Sequence, residues 1–146
     1  MTVLIVEDDA TIGRIWATYL NPLGAEIRHA TSVEEAIEQM RKIPPPDLLL
    51  LDLRLSEQHG PEHTVEAIAH LREFNPQLTV IAISGMADDA IQRLIDGHNV
   101  QAGVTKMEIT SQSRLLQIVR DGIAQSKGWQ ASGQLLERLS ALLSPA

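Results

Sequence analysis

The chain has 146 residues, 44 % of them hydrophobic but only 3 % aromatic, which fits one domain with an aliphatic core. Its net charge is −7 and no segment clusters Lys and Arg, which argues against direct nucleic-acid binding, because phosphate contacts supply most of that affinity. Cysteine is absent, excluding disulfides and thiolate metal sites; no apolar run approaches a bilayer span or follows a basic N-terminus, so the chain reads as cytoplasmic, without membrane insertion.

Val3-Leu4-Ile5-Val6 is an unbroken apolar run that stops at three acids, the pattern of a strand covered on both faces. From Ala10 to Leu20, Ile12, Ile15, Trp16, Tyr19 and Leu20 recur at helical spacing, and Asn21-Pro22 with Gly24 ends the helix. Residues 25–30 form a weaker strand pattern. Ser32 and Glu35 make a capping box that opens a helix through Met40, stopped by Pro44-Pro45-Pro46. Asp47 to Leu51 is a buried strand with Asp52 at its C-terminal end. A loop containing Gly60-Pro61 leads into a helix carrying Val65, Ile68, Ala69 and Leu71. Leu78 to Ile83 is a strand closed by Ser84-Gly85, and Asp88 to Ile95 is helical in pattern, with Gly97 as its stop. Ala102 to Thr105 is a short strand before Lys106, and Ser113 to Ala124 an amphipathic helix.

This alternation predicts an α/β fold: a doubly wound, five-stranded parallel sheet with helices on both faces and a ligand site beyond the C-terminal strand ends. Polar residues gather at those ends: Glu7, Asp8 and Asp9, then Asp52, Ser84 and Lys106. The segments VLIVEDD, LLLLDLRLS, VIAISG and GVTK, in this order and spacing, resemble the signatures of the two-component response-regulator receiver family. The resemblance spans residues 1–125 as a receiver with a flavodoxin-like fold, and leaves 126–146 as a C-terminal helical extension.

Grouped carboxylates repel one another and call for a cation; oxygen ligands favour a hard ion such as Mg²⁺. An Asp carboxylate can accept a phosphoryl group as an acyl phosphate, whose oxygens need cationic and hydroxyl donors. The resemblance implies that Asp52 is the phosphoacceptor, with Lys106 paired to it before phosphorylation and Ser84 and Lys106 facing the phosphoryl oxygens after it. It further implies that Asp8 and Asp52 bind Mg²⁺ directly, Glu7 through water, and the Arg54 backbone carbonyl completes the set. Each residue alone has a plainer explanation: acids can cap the next helix, which is the expected role of Asp9, Ser84 can make a turn, and Lys106 can be a solvated lysine. His59 and His63, four apart, straddle a helix start, and all five histidines are read as surface or loop residues.

Three positions depart from the family pattern. Gly103 stands where an aromatic usually precedes the lysine by three residues, so one half of the usual switch has no side chain. Met107 replaces a proline after the lysine, making a trans peptide bond the expectation. Ser56 replaces a loop proline. Arg54 and Met86 flank the phosphoryl site by resemblance, and Met86 cannot orient water, which predicts slow autodephosphorylation.

In the tail, Leu135, Leu136, Leu139, Leu142 and Leu143 form an apolar stripe. It is expected to pack back on the receiver; the alternative is a homodimer or partner-docking surface formed with this helix or the last receiver helices. The leading functional reading is a stand-alone phosphoacceptor, not an enzyme apart from any autophosphatase activity. It would be served by a histidine kinase or histidine phosphotransfer protein and signal to a downstream protein partner. The alternative is an interaction module that keeps the pocket without switching in the usual way. A receiver segment of a larger hybrid kinase is disfavoured by Met1 standing just before the first strand, and an aspartyl-phosphate phosphatase by Arg54, where a second acid would be needed.

Overall fold

A computed structural model describes residues 1–53, 61–85, 93, 96, 100, 102–125 and 132–143. Five strands, β1 (Thr2–Val6), β2 (Glu26–Ala30), β3 (Leu48–Asp52), β4 (Thr79–Ser84) and β5 (Ala102–Thr105), pair in parallel in the order β2-β1-β3-β4-β5. Among the described residues the full α-helices are α1 (Ala10–Leu20), α2 (Val33–Arg41), α3 (Pro61–Leu71), α4 (Gln112–Ala124) and α5 (Ser132–Leu143). The expected helix over residues 88–95 lies outside the described residues except for Arg93, which is helical, as is Asp96 just beyond it.

The period-two geometry of a strand divides each apolar run between two cores. Leu4, Val6, Leu49, Leu51, Val80 and Ala82 pack with Ala36 and Met40 of α2 and Ile68 and Leu71 of α3. Val3, Ile5, Leu48, Leu50, Ile81 and Ile83 pack on the opposite face with Trp16 and Leu20 of α1 and with α4. Central strands therefore need apolar residues at every position, which is why these runs do not alternate.

Local chemistry sets the helix starts. Asp9 caps α1, its Oδ1 accepting from the backbone N–H groups of Thr11 at 2.8 Å and Ile12 at 3.2 Å, so Asp9 has the capping role expected of it. Ser32 caps α2 by accepting from Glu35 N–H at 3.1 Å. The return half of that expected box is different: the Glu35 carboxylate accepts from Thr31, at 2.8 Å from its N–H and 2.9 Å from its hydroxyl. Those bonds hold Glu35 below the usual carboxylate range.

α5 folds back onto the receiver. Leu139 is fully buried in the cluster that holds Leu23, Leu116 and Ile123, whereas Leu142 is 44 % exposed. Leu139→Ala is accordingly expected to destabilise the chain by about 2–3 kcal/mol, and Leu142→Ala by less than about 0.5 kcal/mol, in urea unfolding. Equal effects would show that the helix does not pack here in solution.

Candidate functional site

The sheet order puts the reversal of winding at β1, whose neighbours β2 and β3 lie on opposite sides; ligands bind at such a point beyond the carboxyl ends of the strands. Val6 pairs with Leu51, so the next residues along the two strands, Glu7 and Asp52, come out side by side. Both are fully buried. Exposed Asp8 joins them, and one carboxylate oxygen from each of the three lies within 4.8 Å of the others.

Lys106 reaches this group from the end of β5. Its Nζ lies 3.1 Å from Asp52 Oδ2 and 3.2 Å from Glu7 Oε2, with a hydrogen bond of 3.3 Å to Glu7 Oε1. The pairing with Asp52 was expected from the resemblance; the equally close pairing with Glu7 was not. Burial works against the ammonium, but Asp52 and Glu7 together push the Lys106 pKa above the ordinary lysine value. Burial, then the adjacent Asp52, pushes the Glu7 carboxyl up to about 8. One ammonium thus serves two buried carboxyl groups, with a third, that of Asp8, beside them. This excess of oxygen donors fits a hard divalent cation: Glu7 Oε2 is buried with Lys106 beside it and no hydrogen-bond partner among the described residues.

Ser84 ends β4, is buried, and pairs in register with Thr105, while Asp52 pairs with Ile83, which puts Ser84 one step further along the neighbouring strand. Arg54 and Met86 lie outside the described residues, as do His59, His98 and Ser56.

Two further features escaped the sequence reading. Thr105 and Glu108 form a capping box around Lys106, with Thr105 N–H donating to Glu108 Oε2 at 2.6 Å. This box fixes the turn after the lysine where the family has its proline, and the bond from Lys106 to Met107 is trans, as expected. The pattern Thr105-x-x-Glu108 was a legible signal, the same one read at Ser32. The second feature corrects the reading of His29 as a surface residue: it is partly buried on β2, its Nε2 2.8 Å from the Glu7 carbonyl oxygen. No local pattern marks that contact, because it joins residues 22 apart. His63 and His70 are exposed, as expected.

A five-stranded parallel sheet of this order, with acids and a lysine meeting at its C-terminal edge, defines the class of receiver domains. The chain belongs to the response regulator receiver domain family, whose profile matches residues 3–120. It is similar to the autoinducer 1 sensor kinase/phosphatase LuxN of Vibrio campbellii, at 33 % identity over 100 residues, which are 66 % of this chain and 11 % of that protein. It is also similar to the luminescence regulatory protein LuxO of the same organism, at 31 % identity over 96 residues, 64 % of this chain and 20 % of LuxO. The chain therefore spans a fifth or less of the length of these relatives. In fold it is similar to a CheY-like response regulator receiver domain protein from Methanospirillum hungatei, with a TM-score of 0.69 and 18 % identity, covering 96 % of this chain and 97 % of the other. The chain is thus a signalling module of two-component type, and no helix among its described residues is long and apolar enough to cross a membrane.

Proposed function

We propose that Asp52 accepts a phosphoryl group from a histidine kinase or histidine phosphotransfer protein, and that the phosphorylated chain signals through a downstream protein partner. The observation that carries this is the Lys106 ammonium, set 3.1 Å from Asp52 and 3.2 Å from Glu7 at the C-terminal edge of the sheet. Asp52 supplies the attacking carboxylate oxygen, and the new O–P bond forms as the N–P bond of the donor's phosphohistidine breaks, the imidazole leaving with the electron pair. Lys106, already paired with it, moves its charge to the phosphoryl oxygens as they arrive, and the Ser84 hydroxyl supplies a further donor. Glu7, Asp8, Asp52 and the Arg54 carbonyl would hold Mg²⁺, which supplies neutralisation of the phosphoryl charge. Burial of Glu7 and Asp52 lowers the local dielectric and strengthens these charge contacts.

The test is incubation with acetyl phosphate in Mg²⁺ and in EDTA, read by intact mass. Gain of one phosphoryl group only with Mg²⁺ supports the reading; no uptake in either sinks it. The acyl phosphate is expected to outlive the seconds scale in the purified protein, through slow autodephosphorylation, and a lifetime of only seconds would reject that expectation.

A second reading, an interaction module that keeps the pocket without the usual switch, is favoured by Gly103. It pairs with Ala82 between β4 and β5, so neither residue of the pair offers an aromatic ring to rotate. Unchanged hydrogen exchange in β4 and β5 on loading with beryllofluoride would favour this second reading.

A further inference from the structure

α1 carries a glycine, Gly13, one turn in from its cap, where almost any other residue would serve the helix better. A Cβ at that position would meet His29 Nε2 at 2.5 Å and Cε1 at 2.6 Å. The imidazole therefore occupies the notch that the missing side chain leaves. From there its Nε2 lies 2.8 Å from the carbonyl oxygen of Glu7. A carbonyl only accepts, so Nε2 carries the hydrogen. The ladder between β1 and β2 ends with Glu7 N–H donating to Ala30 O at 3.0 Å, and beyond it the β1 chain turns toward the Asp9 cap. His29 thus satisfies the carbonyl at the point where the sheet stops doing so.

We infer that His29 is a positioning residue for the cation-binding carboxylates, with Gly13 as its seat. The Glu7 carbonyl belongs to the peptide group between Glu7 and Asp8, so the bond from His29 fixes the plane from which both acidic side chains depart. Hydrogen bonds that orient ligand residues in this way contribute strongly to metal affinity, and their loss typically costs about 10–100-fold. The inference rests on the reading of Glu7, Asp8 and Asp52 as Mg²⁺ ligands, and extends it to residues on β2 and α1.

The test compares wild type with His29→Leu, His29→Gln, Gly13→Ala and the Gly13→Ala/His29→Leu double variant. Mg²⁺ affinity is read by calorimetry and metal-free stability by urea unfolding in EDTA. His29→Leu is expected to weaken Mg²⁺ binding about 10-fold. His29→Gln, whose amide N–H can reach the same carbonyl, should recover most of that loss. Gly13→Ala should weaken Mg²⁺ comparably when His29 is present and add nothing in the His29→Leu background. There, with the ring gone, the added methyl should raise the urea midpoint through helix propensity.

Wild-type Mg²⁺ affinity in His29→Leu overturns the inference, as does an equal effect of Gly13→Ala in both backgrounds. A wild type that binds no Mg²⁺ overturns this inference and the metal reading together. The His29 dependence described, found in a chain that takes no phosphate, supports this inference and sinks the phosphoacceptor reading. Phosphate uptake with Mg²⁺ affinity independent of His29 overturns this inference alone.

Discussion

Asp52→Asn is expected to take up no phosphate from acetyl phosphate and Mg²⁺ under conditions that load the wild type, with intact mass as the readout. The amide keeps the size and planarity of the carboxylate, so the packing of the β3 end against β4 is retained and Leu53 N–H can still donate to the Ile83 carbonyl at 2.8 Å. What it loses is the anionic oxygen that attacks phosphorus. It also loses the negative charge that draws Lys106 to 3.1 Å. Mg²⁺ affinity should fall as well, because one of the three clustered carboxylates is gone. Residual uptake at the wild-type level would move the acceptor elsewhere, and a large fall in metal-free stability would mean that the variant tests folding rather than chemistry.

In EDTA, the stability of the wild type is expected to carry a Glu7 contribution that disappears as pH rises from about 4.5 to about 8, and Glu7→Gln should remove it. The folded-state pKa of Glu7 is raised from 4.5 to about 8, first by burial and then by Asp52. On linkage, a raised value means that the folded chain holds a proton that the unfolded chain has released. The contribution is therefore complete below the unfolded value and lost as pH rises through the folded one. Its full size is on the order of 5 kcal/mol, most of it sampled between a pH of about 5 and of about 8. Glu35, whose pKa is lowered, acts in the opposite sense, so the comparison needed is the difference between wild type and Glu7→Gln at each pH. Urea unfolding at a pH of about 5 and of about 8 measures it. A difference that does not change with pH would show that Glu7 is not buried as described. Mg²⁺ should suppress the effect in the wild type, since a cation among the carboxylates stabilises the ionised form that burial disfavours.

The apolar runs at Val3–Val6, Leu48–Leu51 and Val80–Ile83 made the central strands legible, because a strand covered on both faces has no polar position to spare. The caps at Asp9 and Ser32 were legible because they act within four residues of themselves. The tail was legible as a helix but not as to its neighbour. An apolar stripe fits a second copy as well as the chain's own surface, and only the burial of Leu139 among Leu23, Leu116 and Ile123 shows where it packs.

The candidate site divides in the same way. The sequence by itself placed Glu7, Asp8, Asp52, Ser84 and Lys106 at strand ends, because a change from apolar to polar marks where a buried strand emerges. Their meeting depends on parallel register, which sets Glu7 beside Asp52 and brings Lys106, 99 residues from Glu7, into contact with it. The tertiary structure alone decided that one ammonium serves two buried carboxylates and that His29, seated on Gly13, holds the Glu7 carbonyl. Both are contacts between distant segments, and a local pattern records how each segment folds without recording what crosses between them.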